Sequence, residues 1–172
     1  MHRALIELMV ERDYDRISVR DILDRADTGR SAFYAHFRDK DDLLLASSVE
    51  YLRDVLAVPL PPDPAAPPDS ERLAPVPRLL VLAQQYPEVY RVLVGRSTGG
   101  TVLRSMRDVV ERLLTEQMAG RLEVAEQDFA ATIAFLSWGV VGMQAAIADS
   151  GGALTARRAY DIVAGLLSPA EP

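Results

Sequence analysis

The feature that most restricts the fold is a run of 20 residues without a formal charge, FAATIAFLSWGVVGMQAAIA, from Phe129 to Ala148. A helix of about 20 apolar residues is long enough to cross a bilayer. This run, however, contains three polar side chains and is followed and preceded by acidic residues, without the basic flank typical of a membrane span. We therefore interpret it as a core helix of a fold outside the membrane, which other helices must cover on all sides.

Apolar residues recur at helical spacing through nearly all of the remaining chain. Ser18 and Asp21 have the spacing of a capping box, and Asp39 is a favourable N-cap for a fourth helix. No segment shows the sustained alternation of a strand, so the predicted fold class is all-α. The predicted helices lie around Leu5, at 18–26, at 30–38, after Asp39, from Leu79, after Pro87, at 102–118, at 129–148 and at 156–167.

Prolines are concentrated in one stretch of the sequence. Eight of the 11 prolines lie between Pro59 and Pro77. Proline lacks the backbone N–H and clashes inside a helix, so an extended and exposed connection is predicted there.

The composition also restricts the chemistry. The chain has no cysteine and only two histidines, which excludes disulfides and thiolate ligands and makes a histidine metal site improbable. We expect no metal, no cofactor and no enzymatic activity, with His36 the main histidine available as a general base. No signal-peptide pattern opens the sequence, so a cytoplasmic location is expected.

The segment GRSAFYAHFRDK, from Gly29 to Lys40, carries no carboxylate before Asp39, although the net charge of the whole chain is −6. The two helices predicted at 18–26 and 30–38, joined by a short turn, fit a helix-turn-helix. Phe33 and Phe37 would anchor the second helix, and its other face carries small and hydrogen-bonding residues suited to DNA.

The stretch ERDYDRISVRDILDRADTGRSAFYAHFRDKDDLL resembles the DNA-binding segment of TetR-type (tetracycline-repressor-like) transcriptional regulators. The resemblance covers about the first 50 residues. It implies an N-terminal three-helix helix-turn-helix domain, 1–46, and an α-helical ligand-binding and dimerisation domain, 47–172. The function it implies is that of a regulator, expected to be a repressor, that binds a palindromic operator on double-stranded DNA as a homodimer and responds to a small molecule.

The resemblance assigns DNA contacts residue by residue. Arg30 is the candidate for a bidentate guanine contact, and Lys40 is expected to pair with a phosphate. Ser18 would also cap the second helix. Groove contacts are assigned to Thr28, Arg30, Ser31 and Ala35, and contacts with the sugar-phosphate backbone to Ser18, Tyr34, His36 and Lys40.

Three positions depart from the family pattern. Asp13 replaces a usual glycine at the end of the first helix, where a left-handed backbone is expected, and Asp27 stands where glycine or asparagine is common. Ala32 replaces a common threonine.

Residues 1–58 contain nine Lys/Arg and 12 Asp/Glu, a net charge of −3. Such an acidic domain favours a second interpretation, an all-α ligand-binding or protein-interaction protein whose helix-turn-helix does not bind DNA.

The charge-free helix and the last helix carry apolar stripes at the spacing of a helix-packing seam. Under the resemblance these stripes form a four-helix dimer interface; the alternative is packing within one chain. The assigned residues are Ile133, Leu136, Val140, Met143, Ile147, Ile162 and Leu166.

An effector pocket is predicted from apolar and aromatic residues with few polar tips, and ordinary core packing is the alternative for each. The effector is expected to be apolar or weakly polar. The candidates are Leu82, Tyr86, Tyr90, Leu103, Met106, Phe135 and Trp138.

Overall fold

The computed structural model describes residues 1–57, 73, 75–96, 98–122 and 124–167. Within these ranges the chain forms nine α-helices and no strand, which confirms the all-α prediction. The helices are α1 (His2–Glu11), α2 (Val19–Ala26), α3 (Arg30–Tyr34), α4 (Lys40–Ala57), α5 (Pro75–Gln85), α6 (Pro87–Val94), α7 (Gly100–Met118), α8 (Glu126–Asp149) and α9 (Ala156–Leu167).

Helices α1, α2 and α3 form an N-terminal unit, here called the head. The predicted capping box is confirmed: the backbone N–H of Asp21 donates to the Ser18 hydroxyl, and the Asp21 carboxylate accepts from the Ser18 backbone N–H. Hydrogen bonds from the hydroxyl and backbone of Ser18 lower the pKa of Asp21 to about 2. Arg12 also pairs with Asp21, which ties the end of α1 to the start of α2.

The turn between α2 and α3 has a left-handed residue where the family pattern favours glycine or asparagine. Asp27 has φ 47° and ψ 52°, a conformation that asparagine and aspartate tolerate better than other residues with a Cβ. Asp13, by contrast, has φ −53° and ψ 136°. The expectation of a left-handed backbone at Asp13 was wrong, because a turn of 3-10 helix, Tyr14–Arg16, follows it instead.

Helix α3 is shorter than predicted. Regular helix ends at Tyr34 rather than near residue 38. The backbone N–H of Phe37 still donates to the Phe33 carbonyl at 2.9 Å, so one more turn keeps helical hydrogen bonding. Phe33 is buried and Phe37 is half-buried against the same core, as predicted for the two anchors.

Helix α4 connects the head to the remaining helices, here called the body. Its start is capped as predicted, because the backbone N–H of Asp42 donates to the Asp39 carboxylate at 2.8 Å. The proposed domain boundary at residue 46/47 lies within this helix, and it stays a prediction. One hydrophobic core extends from the head through α4 into the body.

The proline-rich segment lies mostly outside the described residues, and its last part differs from the prediction. Helix α5 begins at Pro75 and includes Pro77. Both prolines lie in the first turn, where the missing N–H has no helical partner in any case. Pro87 begins α6 for the same reason.

Helix α8 is the central helix of the body and packs against α5, α6 and α7. In the described part of the chain it is the helix that is long and apolar enough to cross a membrane. Its packing within the chain supports the interpretation as a core helix. Within the single chain it is not covered on all sides, because Phe135 is 66% exposed and Trp138 is 50% exposed.

Candidate nucleic-acid interface

The outer face of α3 and the turn after it is a continuous exposed surface. Phe33 is 0% exposed and fixes the helix on the head core, whereas its neighbour Tyr34 is 58% exposed. The rings of Phe33 and Tyr34 meet edge to face, with centroids 5.2 Å apart. The exposed residues of this surface, here called the α3 face, are Arg30, Ser31, Ala32, Tyr34, Ala35 and His36.

The polar side chains of the α3 face have no hydrogen-bond or ion-pair partner among the described residues. This holds for the guanidinium of Arg30, the hydroxyls of Ser31 and Tyr34 and the imidazole of His36. Exposed donors without an intramolecular partner form hydrogen bonds with water in the free protein. They can exchange these for hydrogen bonds to phosphate groups or base edges of DNA. The absence of carboxylates between Thr28 and Arg38 leaves nothing on this face to repel phosphate.

The other cationic side chains of residues 1–57 are engaged elsewhere. Arg30 is therefore the one guanidinium of this segment that forms no ion pair within the described structure. The pairs are Arg3–Glu7, Arg12–Asp21, Arg16–Asp13, Arg20–Asp24, Arg25 with Glu7 and Glu11, Arg38–Asp42 and Arg53–Glu116.

Lys40 lies at the start of α4, and its ammonium group forms hydrogen bonds with backbone carbonyls of the head. Its Nζ donates to the carbonyls of Tyr14 and Ile17 at 2.8 and 2.9 Å, and it lies 4.2 Å from the Tyr14 ring centroid. The Tyr14 hydroxyl donates to the Asp41 carboxylate. Burial, followed by this hydrogen bond, raises the pKa of Tyr14. Lys40 thus fixes the 3-10 turn to α4, and at most one of its three N–H groups is left for a phosphate.

Replacing Lys40 with methionine, which keeps the aliphatic stem, is expected to destabilise the fold by about 2 kcal/mol, because two carbonyls lose a charged donor. Urea denaturation followed by circular dichroism measures the change. Arg38→Met is the control, since its pair with Asp42 is exposed and no measurable change is expected. Equal stability of the Lys40 variant and the wild type would contradict the structural role.

The other residues assigned to DNA contacts differ in whether their side chains are already hydrogen-bonded within the chain. The Ser18 hydroxyl donates to Asp21 at 2.6 Å, and the Thr28 hydroxyl donates to the Ala26 carbonyl at 3.0 Å. Both hydroxyls can still accept a hydrogen bond. Ala35 is exposed on the α3 face. Sequence reasoning missed Tyr14 and Asp41, whose contact joins positions 27 residues apart.

The residues predicted to line an effector pocket do not share one environment. Leu82, Tyr90 and Met106 are buried in the body core, and Leu103 is partly buried against it. Tyr86, Phe135 and Trp138 are exposed. The two α8 aromatics lie on the face of that helix that points away from the core.

The residues predicted to form a dimer seam lie mostly inside the chain. Those on α8 face the body core, four of them fully buried and Met143 partly, as in the alternative of packing within one chain. Ile162 is 37% exposed on α9, and the side chain of Leu166 lies outside the described part. The buried four are Ile133, Leu136, Val140 and Ile147.

Comparison with known proteins gives a family match that covers the head and the start of α4. Residues 3–47 match the family described as "Bacterial regulatory proteins, tetR family". One relative, described as "Uncharacterized HTH-type transcriptional regulator YwcC" from Bacillus subtilis (strain 168), is 48% identical over 42 residues. That match covers 24% of this chain and 19% of the relative, so the chain spans about a fifth of the relative's length. The N-terminal segment of the chain, residues 3–47, is therefore similar in sequence to the tetR family of bacterial regulatory proteins, and its helices have the helix-turn-helix arrangement.

Proposed function

We propose that the chain is a DNA-binding transcriptional regulator of the cytoplasm that reads an operator through the α3 face. One observation carries this proposal: in an acidic domain, the single unpaired arginine of the described head and three uncommitted polar side chains lie together on one exposed helix. An inert helix-turn-helix would have no reason to keep these groups free of partners while the neighbouring arginines are paired.

The proposed contacts follow from the position of each residue. Arg30 is at the first position of α3, so its guanidinium extends beyond the N-terminal end of the helix that enters the major groove. A guanidinium fits the O6 and N7 atoms of guanine in a bidentate manner. Ser31, Tyr34 and His36 supply donors for phosphate and sugar, which fix the register of the helix on DNA.

We further propose a homodimer that uses the exposed face of α8. Phe135 and Trp138 lie on this face together with Gly139 and Gly142. A Cβ added at either glycine would meet nothing within 4 Å, so the packing of one chain does not require glycine there. Glycine inside a helix is about 1 kcal/mol less favourable than alanine. A partner helix that approaches closely would explain both glycines, with an aromatic side chain of each copy packing over the glycines of the other.

A homodimer brings two α3 faces to one DNA duplex and therefore favours a palindromic operator.

The roles of repressor and of ligand-responsive regulator are also part of the proposal. Helix α1 of the head contacts α6 of the body, which supports a route by which a change in the body reaches the head. Such a change alters DNA affinity only if the effector binds the two arrangements with different affinity.

Arg30→Ala is expected to weaken binding to the best operator by roughly 10-fold and to relax the preference at the base pair that Arg30 contacts, since one bidentate contact contributes about 1–3 kcal/mol of discrimination. Selection from random duplexes with the full-length chain identifies the operator, and fluorescence anisotropy at fixed salt measures affinity. Arg3→Ala is the control, because Arg3 is exposed on α1 and paired with Glu7.

Two outcomes would contradict this function. One is a selection that returns no enriched sequence, and the other is an equal loss of affinity by the Arg30 and Arg3 variants for every sequence. In the first case the alternative is supported, a ligand-binding or protein-interaction protein whose helix-turn-helix does not bind DNA. In the second case DNA is bound only through its charge, without readout by α3.

A further inference from the structure

Gln144 is a fully buried polar residue in the C-terminal half of α8, with a side chain that is 0% exposed. Its Nε2 atom donates a hydrogen bond to the backbone carbonyl of Leu79 on α5 at 3.0 Å. Its Oε1 atom is also buried and has no hydrogen-bond partner among the described residues. Buried polar groups in folded proteins are nearly always hydrogen-bonded, so an amide that is only partly bonded in a core needs an explanation.

Stability does not explain a glutamine at this position. The Leu79 carbonyl lies inside α5, where the helical pattern already pairs it with the N–H four residues later. The net contribution of one neutral hydrogen bond is small, and a buried acceptor without a partner loses its hydration in full. A leucine of similar size would fill the same space without an unpartnered oxygen.

Hydrophobic burial gives little preference for one side of α8. The side away from the core carries Phe135 and Trp138, which are both exposed. Aromatic side chains bury about 150–250 Å² each when they are enclosed, so this side would also gain from facing a core. Because the hydrophobic effect is not directional, it does not by itself determine the rotation of α8 about its axis.

The position of Gln144 on the helix supplies the missing direction. Phe135 and Gln144 are nine residues apart, which is about two and a half turns of α-helix, so they lie on opposite sides of α8. A half-turn rotation that buried Phe135 would carry Gln144 to the surface and break its hydrogen bond with Leu79. The bond therefore forms only when the present core side of α8 faces α5.

The other polar contacts described for α8 do not select its rotation. The hydroxyls of Thr132 and Ser137 donate to carbonyls of α8 itself. Arg91 donates to a carbonyl in the last turn of α8 at 3.1 Å, but free carbonyls surround the whole end of an α-helix. The ion pair of Arg96 with Asp149 is at the surface, where such pairs contribute little.

We propose that the hydrogen bond between Gln144 and Leu79 fixes the rotation of α8 and so decides which side of this helix is left exposed. Gln144 selects one packing without adding stability, as a single buried polar residue does in the seam of a coiled coil. This role is exercised inside one chain and does not require the proposed homodimer.

The test compares Gln144→Leu with Ser137→Ala in the full-length chain. Both remove a buried polar group from the same side of α8, but only the first removes a bond between helices. Isoleucine methyl groups are carbon-13 labelled and observed by NMR, with Ile133 and Ile147 as reporters on α8 and Ile22 as a reference in the head. Gln144→Leu is expected to double or broaden both reporter signals and to leave Ile22 unshifted, because a core loses its unique packing before its stability. Ser137→Ala is expected to keep single signals.

Urea denaturation of the same samples separates the selection of one packing from ordinary stabilisation. The midpoint of Gln144→Leu is expected to equal or exceed that of the wild type, and Gln144→Met is the second variant if the leucine variant does not fold. Single reporter signals in Gln144→Leu, doubling also in Ser137→Ala, a lowered midpoint, or failure of both Gln144 variants to fold would overturn the inference. Light scattering is measured in parallel, and a monomeric wild type would contradict the homodimer but leave this comparison intact.

Discussion

Replacing Phe33 with alanine is expected to destabilise the fold by about 3–5 kcal/mol, because the ring is fully buried and its removal leaves a cavity in the head. Native domains are stable by only about 5–15 kcal/mol, so this is a large part of the total. The ring also packs against Phe37, with centroids 5.7 Å apart, and so holds the turn after α3. Urea denaturation followed by circular dichroism measures the change, and operator binding should be lost with it.

The neighbouring aromatic residue supplies the matched control for Phe33→Ala. Tyr34→Ala removes a ring of similar size from the exposed side of the same helix. Its stability should change by less than about 1 kcal/mol, although its DNA affinity should fall. Similar destabilisation by the two variants would show that the anchoring and outward roles of α3 are assigned incorrectly.

The double substitution Phe135→Asp with Trp138→Asp is expected to convert the proposed dimer into monomers. Two carboxylates would be buried at the centre of the interface without partners, and each such burial opposes association strongly. Light scattering at micromolar concentration measures the mass in solution. Operator affinity should fall sharply as well, because the two α3 faces are no longer coupled.

Two further variants make the dimer prediction specific. Val81→Asp places a carboxylate on an exposed apolar position of α5, outside the proposed interface, and should leave the dimer intact. Gly142→Ala should stabilise the single chain by about 0.5–1 kcal/mol, since its Cβ meets no atom, yet weaken the dimer. A wild-type chain that is monomeric, or a double variant that still dimerises, would contradict the assignment to this face.

Much of the head follows from local sequence signals. The capping box at Ser18, the N-cap at Asp39 and the inward pair Phe33 and Phe37 each depend on residues within four positions of one another, and each was confirmed. The end of α3 was predicted less well. Apolar spacing continues to Phe37 although regular helix ends at Tyr34, because one helical hydrogen bond is enough to keep Phe37 on the same face.

The candidate site depends on contacts that local signals do not contain. Lys40 donates hydrogen bonds to backbone carbonyls 23 and 26 residues away. The residue that was predicted to bind a phosphate therefore has a structural role, which local sequence signals do not reveal. The absence of an ion pair at Arg30 is significant only by comparison with the other arginines of the head. Their partners are known only from the tertiary structure.

Helix α8 separates what sequence determines from what only tertiary structure decides. The sequence by itself determined that the 20 charge-free residues form a long helix of an all-α protein, because length and apolar content fix that locally. It did not determine which side faces the core, since a helix that is apolar nearly all round has no polar side to mark solvent. Packing against α5, α6, α7 and α9 buried the stripe first assigned to the dimer and left Phe135, Trp138, Gly139 and Gly142 exposed, because none of these helices covers that side of α8.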